Sequence, residues 1–262
     1  MRVTFLEAAN GLRLTKHYSK AKVTPYPYVK EVTSHEHKIT VDQAGLDNLY
    51  SLMQHHGALG HCMLKGALKR DLVKESRKGQ TERNALNGLL VLDVDGIKLN
   101  RALPSKQLSA AVVESLTEQV INSLPQAFHD VSYISQASAS LGMKGDKVSL
   151  HIFMLLTVPM PPKSIKLWLQ HVNLSSDLFM PQIELSSNGQ SLKYPLDVSL
   201  ADNSKLVFIS TPTFDDPASN PFISDADRTI LITRGNATVD LAAEMGSIHP
   251  EIIHQQSIKQ KD

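Results

Sequence analysis

Apolar residues recur at two spacings along the chain, and the spacings predict the elements. Between residues 42 and 55, Leu46, Leu49, Tyr50 and Met53 fall at helical intervals behind Asp42, a ready N-cap, and Gly57 is expected to end the helix. Residues 88–95 form an aliphatic run fit for a buried strand. Pro104-Ser105 is expected to open a second helix carrying Leu108, Val112, Leu116 and Val120 and stopping before Pro125. Residues 131–135 and 148–156 predict strands, joined as a long hairpin by the Ser/Gly-containing turn at 138–145. After Pro161-Pro162, residues 164–172 predict a helix, and 205–210 and 229–233 predict further strands. Helices mixed with hairpin-joined strands imply an α+β fold.

No repeat, low-complexity tract or Gly/Ser linker divides the 262 residues. One unit over 1–250 is expected, followed by a polar tail or start of a linker at 251–262. Cys62 stands alone, which excludes a disulfide framework and a cysteine-rich zinc site and fits a reducing compartment. The longest apolar stretch, near 152–160, is broken by Thr157 and Pro159 and falls short of the ~18 residues a membrane span needs. The first residues also lack the apolar region of a signal peptide, so a cytoplasmic protein without membrane contact is expected.

The formal charge of +1 hides an asymmetry. Residues 1–87 carry 14 Lys and Arg against 8 Asp and Glu, whereas residues 88–262 carry 13 against 18. A basic portion beside an acidic one suits a protein that grips phosphates with one part and holds divalent cations with the other. The basic excess concentrates at 65–83, where Lys65, Lys69, Arg70, Lys74, Arg77, Lys78 and Arg83 face only Asp71, Glu75 and Glu82.

Three short segments carry candidate chemistry. In the first, an apolar strand runs into Asp93-Val94-Asp95-Gly96, and period-two alternation puts both carboxylates on one face. Two like charges so close repel each other unless a cation such as magnesium or manganese lies between them. In the second, Val148, Leu150, Ile152 and Met154 share one strand face while Ser149 and His151 share the other, a pair able to donate to anionic phosphate oxygens. In the third, Asp197 sits among apolar neighbours before the predicted strand opened by Lys205.

In this order, Asp93-x-Asp95, Ser149-x-His151 and a hydrophobic residue followed by Asp197 resemble the signature motifs of the archaeo-eukaryotic primase superfamily, especially the primase-polymerase domains of phages and mobile elements. The similarity spans residues 88–209. The preceding Gly60-His61 to Gly66 and Glu75-Ser76-Arg77 also look like the region before the first motif in phage members. The resemblance implies an N-terminal α/β unit packed on an RNA-recognition-motif-like antiparallel sheet, with catalytic motifs within 88–235. It further implies two-metal nucleotidyl transfer: Asp93, Asp95 and Asp197 hold two Mg2+ or Mn2+ ions, and Ser149, His151 and Lys205 bind the nucleotide. Partners would be a single-stranded DNA template, NTP or dNTP, and a replicative helicase, in a host cytoplasm if the chain is phage-encoded. Lys65, Arg77, Lys78 and Arg83 are the expected template contacts. One departure is Lys205, where such proteins often carry Arg, so a bidentate phosphate grip is lost.

Three rival readings stand beside this one. Asp93-Val94-Asp95-Gly96 also looks like the nucleophile motif of haloacid-dehalogenase-type phosphatases, with Ser210-Thr211 and Asp215-Asp216 as further parts, but Ile97 replaces the usual Thr and no Lys lies between Thr211 and Asp215. A non-catalytic nucleic-acid-binding replisome scaffold is disfavoured by the acidic set and by 5% aromatic content. His35-Glu36-His37 has the spacing of a nicking initiator but lies in a polar stretch with no predicted strand. The other histidines, including His55-His56, are expected on the surface.

Overall fold

The computed structural model describes residues 1–99, 103–104 and 107–261. The chain begins with β1 (Arg2–Ala8), β2 (Glu31–Lys38), α1 (Gln43–Leu59) and β3 (Cys62–Leu64). There follow β4 (Asn87–Lys98), α2 (Ala110–Ile121), β5 (Tyr133–Ala137), β6 (Lys147–Met160) and α3 (Pro162–Ser175). Its last part holds the short strands β7 (Leu206–Val207), β8 (Thr229–Ile232) and β9 (Thr238–Val239), then α4 (Pro250–Lys259). Helices and largely antiparallel sheets make this an α+β protein. No helix among the described residues is long and apolar enough to cross a membrane.

Two five-stranded sheets carry the architecture. The first has the order β7-β3-β1-β2 and ends on the two-residue strand Glu75–Ser76. The second places β8, β5, β6 and β4 side by side, with β9 parallel to β6 at Leu155 and Leu156. Beyond β4 the backbone of residues 195–197 joins as well: Val94 bridges Leu196, Asp197 N–H donates to the Asp93 carbonyl (2.9 Å) and Asp95 N–H donates to Pro195 (3.0 Å). With the separate hairpin of Glu184–Leu185 and Leu192–Lys193 set aside, the chain from β4 to this segment runs β-α-β-β-α-β.

The faces of β4 explain the layering. Leu90, Leu92 and Val94 pack with α2 and α3 around Val113, Leu116, Trp168 and Leu169. Leu89 and Val91 point the other way, onto Leu46, Leu49 and Met53 of α1 and onto Phe5 of β1. Both faces of the strand's first half are thus apolar and buried, and only past Val91 does the second face become acidic.

Several boundaries differ from the sequence expectations for physical reasons. Helix α1 passes through Gly57 and stops at Gly60, whose φ of +90° gives the left-handed cap. Gly57 instead permits close packing, since a Cβ there would lie 3.1 Å from the Ile209 carbonyl. Helix α2 starts at Ala110, because Leu108 is extended and bridges Phe222, while Ser105 lies outside the described residues. The strand expected over 205–210 is only β7. The stretch expected as a polar tail forms α4, with Ile253 buried against the core and Lys261 Nζ donating to Gln190 (3.0 Å); Asp262 lies outside the described residues.

Candidate active site

On the second face of β4, beyond the area covered by α1, Asp93 stands opposite His151 of β6, and His151 stands opposite Gln136 of β5. Alternation along β4 and β6 brings Asp93, Asp95, Ser149 and His151 to one face, as their spacing predicts. A glycine bulge follows: the register shifts between Val94 and Ile97, and Gly96 takes φ +70°. The bulge is pinned by Gly96 N–H donating to Ser149 Oγ (3.0 Å) and returns Ile97 to the core.

Asp197 reaches the same place by main-chain pairing with Asp93. Its carboxylate accepts from Ser199 N–H and Ser199 Oγ–H, both at 2.8 Å, and so also caps the short helical turn Val198–Ala201. Asp93, Asp95, Asp197, Ser149, His151 and Lys205 all line one cleft of about 480 Å3. The cleft also takes in Lys16, Tyr26, Arg77 and Phe208, and Tyr26 stacks on Phe208 with centroids 3.8 Å apart. Lys16 lies over the Tyr26 ring at 4.9 Å. A second groove of about 390 Å3, lined by Asp95, Lys98, Lys144, Lys147 and Lys193, meets the first at Asp95.

The electrostatics follow from burial. Asp93 is pushed up to about 7, first by desolvation, then by the negative charges of Asp197 and Asp95, with Lys16 partly opposing. His151 is driven down to about 4, again chiefly by desolvation. Burial thus favours the neutral ring in the free protein. Gln136 assigns the tautomer: its Nε2 donates to the Ile209 carbonyl (2.6 Å), which leaves Oε1 to accept from His151 Nδ1–H (3.1 Å). The Nε2 lone pair of His151 then faces Asp93 Oδ1 at 3.5 Å.

No family model, curated protein or solved structure matches the chain. The arrangement itself is a carboxylate-rich cleft ringed by the cationic side chains of Lys16, Arg77 and Lys205.

The expected template contacts divide. Arg77 lines the cleft and its Nη1 donates to the Ser204 carbonyl (2.9 Å). Arg83 is exposed and shares an adjoining groove with Lys163, Lys166 and Lys205, while Lys78 is exposed outside both. Lys65 contradicts the expectation: it is buried, its Nζ donates to the Leu89 carbonyl (2.6 Å), and desolvation lowers it to about 7. Its ammonium is committed inside the protein.

The phosphatase parts do not assemble. Ser210, Thr211, Asp215 and Asp216 do not line the cleft; Ser210 Oγ donates to the His61 carbonyl (2.7 Å), and Asp215 contacts His17 (3.0 Å). The histidine expectations hold for His55, which is exposed, and fail for others. His35 and His37 lie on β2, and His56 and His61 are buried. Sequence reading missed Lys16, Tyr26 and Gln136. Gln136 carried a faint signal as a polar residue at the end of the run 131–135, whereas Lys16 and Tyr26 come from irregular segments that only tertiary structure aims.

Proposed function

We propose that the chain is a template-directed nucleotidyltransferase, a DNA primase or polymerase of the primase-polymerase kind, acting in phage or mobile-element replication. The observation that carries this reading is the convergence of three sequence-distant segments, Asp93-Val94-Asp95, Ser149-Leu150-His151 and Asp197, in one cleft. The β-α-β-β-α-β order from β4 to residue 197 supports the RNA-recognition-motif-like part of it, since the resemblance implies such a sheet.

The donor set fits divalent magnesium or manganese. Three carboxylates offer hard oxygen ligands, and Asp93, raised first by desolvation and then by the negative charges of Asp197 and Asp95, stands where a cation would offset that cost. Such ions would activate a 3′-hydroxyl and neutralise the triphosphate. The protein's own groups do the rest. Lys205, Lys16 and Arg77 surround the cleft with positive charge for the nucleotide phosphates. A phosphate beside His151 raises its affinity for a proton and turns Nε2 into a donor, while Gln136 holds the ring in place. The groove holding Arg83, Lys163 and Lys166 offers a path for single-stranded DNA.

The test is incorporation of labelled NTP or dNTP on single-stranded DNA with Mg2+ or Mn2+, with and without primer. Metal-dependent product from the parent and none from a folded Asp93→Asn/Asp95→Asn variant supports the reading. Equal product from both removes it.

A further inference from the structure

We propose a second metal site, for a zinc-class ion, built from Glu7 on β1, His35 on β2 and His61 immediately before β3, at neighbouring positions of the first sheet. Their ligand atoms all lie within 4.8 Å of one another, and no other group of three or more His, Cys, Asp or Glu among the described residues comes so close. None of the three lines the aspartate cleft, so the inference stands apart from the nucleotidyltransferase reading.

Strand register creates the cluster. Phe5 pairs with His35, and Leu6 pairs with Cys62, so Glu7 and His61 come opposite each other on the face that β1 shares with His35. The face lies under the C-terminal end of α1, where His56 stacks on Phe5 at 4.1 Å between centroids. His35 and His61 stack at 5.1 Å with their planes 10° apart.

Hydrogen-bond accounting leaves room for a cation. His61 Nδ1 lies 2.9 Å from His56 Nδ1, and His56 Nε2 lies 3.0 Å from His37 Nε2. One proton fits between each pair of nitrogens, so the three rings form a relay that runs in one direction or the other. With protons pointing away from the cluster, His61 donates to His56 and His56 donates to His37, and His61 Nε2 keeps a free lone pair. On the remaining side the Glu7 carboxylate and the His35 ring meet at 3.1 Å. Two imidazole nitrogens and a carboxylate then converge with at most one proton among them. An ion accepts all three.

The relay also supplies what metal-bound histidines ordinarily have, a partner fixing the far ring nitrogen. Two imidazoles and one carboxylate suit zinc better than magnesium, whose ligands are predominantly oxygen. Metal–ligand bonds of about 2.0–2.1 Å set tetrahedral ligands roughly 3.3 Å apart, a spacing inside the 4.8 Å that bounds the three ligand atoms. Glu7 and His35 are partly exposed, at 44% and 34%, leaving the fourth position to water.

The test uses the full chain, stripped with chelator and dialysed against Zn2+, with Co2+ as the spectroscopic probe. The expected result is one zinc per chain, the visible absorption of four-coordinate Co2+, and a higher melting temperature with zinc. Glu7→Gln and His35→Asn, each checked for parental circular dichroism, should weaken binding by about 100-fold, while Asp93→Asn should leave it unchanged. Two substitutions at partly exposed positions guard against one that fails to fold. Stoichiometric binding that persists in both variants, binding lost only in Asp93→Asn, or no binding by the parent overturns the proposal.

Discussion

Gln136 holds His151 in one tautomer: Oε1 accepts from Nδ1–H at 3.1 Å while the amide nitrogen is spent on the Ile209 carbonyl. The amide cannot reverse without facing its NH2 toward a ring N–H and its oxygen toward a carbonyl. The relationship ties the floor of the cleft to the turn after β7, across two sheets.

Gln136→Leu should therefore release the ring without touching Asp93. Nitrogen NMR of the imidazole should show the Nδ1–H form in the parent and a mixture of tautomers in the variant. Nucleotide incorporation should fall by roughly 10–100-fold, the scale of losing an orienting partner. An unchanged tautomer in the variant would show that something else orients His151.

Asp93 should cost stability in return for function. Its folded value of about 7 lies above the ordinary 3.8, so between those limits the native state keeps a proton that the unfolded state has lost. Stability from this group falls as pH rises through that window. In metal-free buffer, Asp93→Asn should melt higher than the parent above pH 7, and the difference should vanish near pH 4. Thermal melts at several pH values with chelator present check it.

Lys65 has the opposite slope. Its folded value of about 7 lies below the ordinary 10.5, so between them the unfolded state binds the extra proton and stability rises with pH. The ceiling on this rise is about 5 kcal/mol at 1.36 kcal/mol per pH unit. Lys65→Met should be more stable than the parent at pH 6, with the gap closing toward pH 10. Denaturant titrations of both proteins across that range give the comparison.

How much was legible in the sequence follows from which physical rule governed each element. Strands β4 and β6 and helices α1 and α3 were readable because one stretch of chain carries its own apolar pattern. Strand β1 escaped because Val3, Thr4, Phe5 and Leu6 are all buried and show no alternation; β2 escaped because most of its side chains are polar. The aspartates and the Ser149/His151 pair were readable from period-two spacing. Lys65 was misread because a cationic tract looks solvated until folding buries one of its members. The histidine cluster was invisible for a related reason, since register across three strands, and no local spacing, brings Glu7, His35 and His61 together.

Gly66 shows how closely the basic segment packs behind the cleft. A Cβ there would lie 2.4 Å from the Asn203 Cβ and 2.9 Å from its carbonyl oxygen, and Gly66 N–H donates to that same carbonyl (3.0 Å). Gly66→Ala should displace the 203–205 backbone, and Lys205 with it. A loss of about 1–3 kcal/mol in stability is expected from overpacking of this kind, together with weaker nucleotide binding. A denaturation midpoint equal to the parent's would show that Asn203 moves freely.

The central claim is that the aspartate cleft copies a template, and the sequence of the product tests it most directly. Single-stranded DNA of defined sequence is supplied with four nucleotides and Mg2+ or Mn2+, and the product is sequenced, beside Asp93→Asn/Asp95→Asn. The account predicts metal-dependent product complementary to the template from the parent and none from the variant. Product unrelated to the template, or equal synthesis by both proteins, would contradict it.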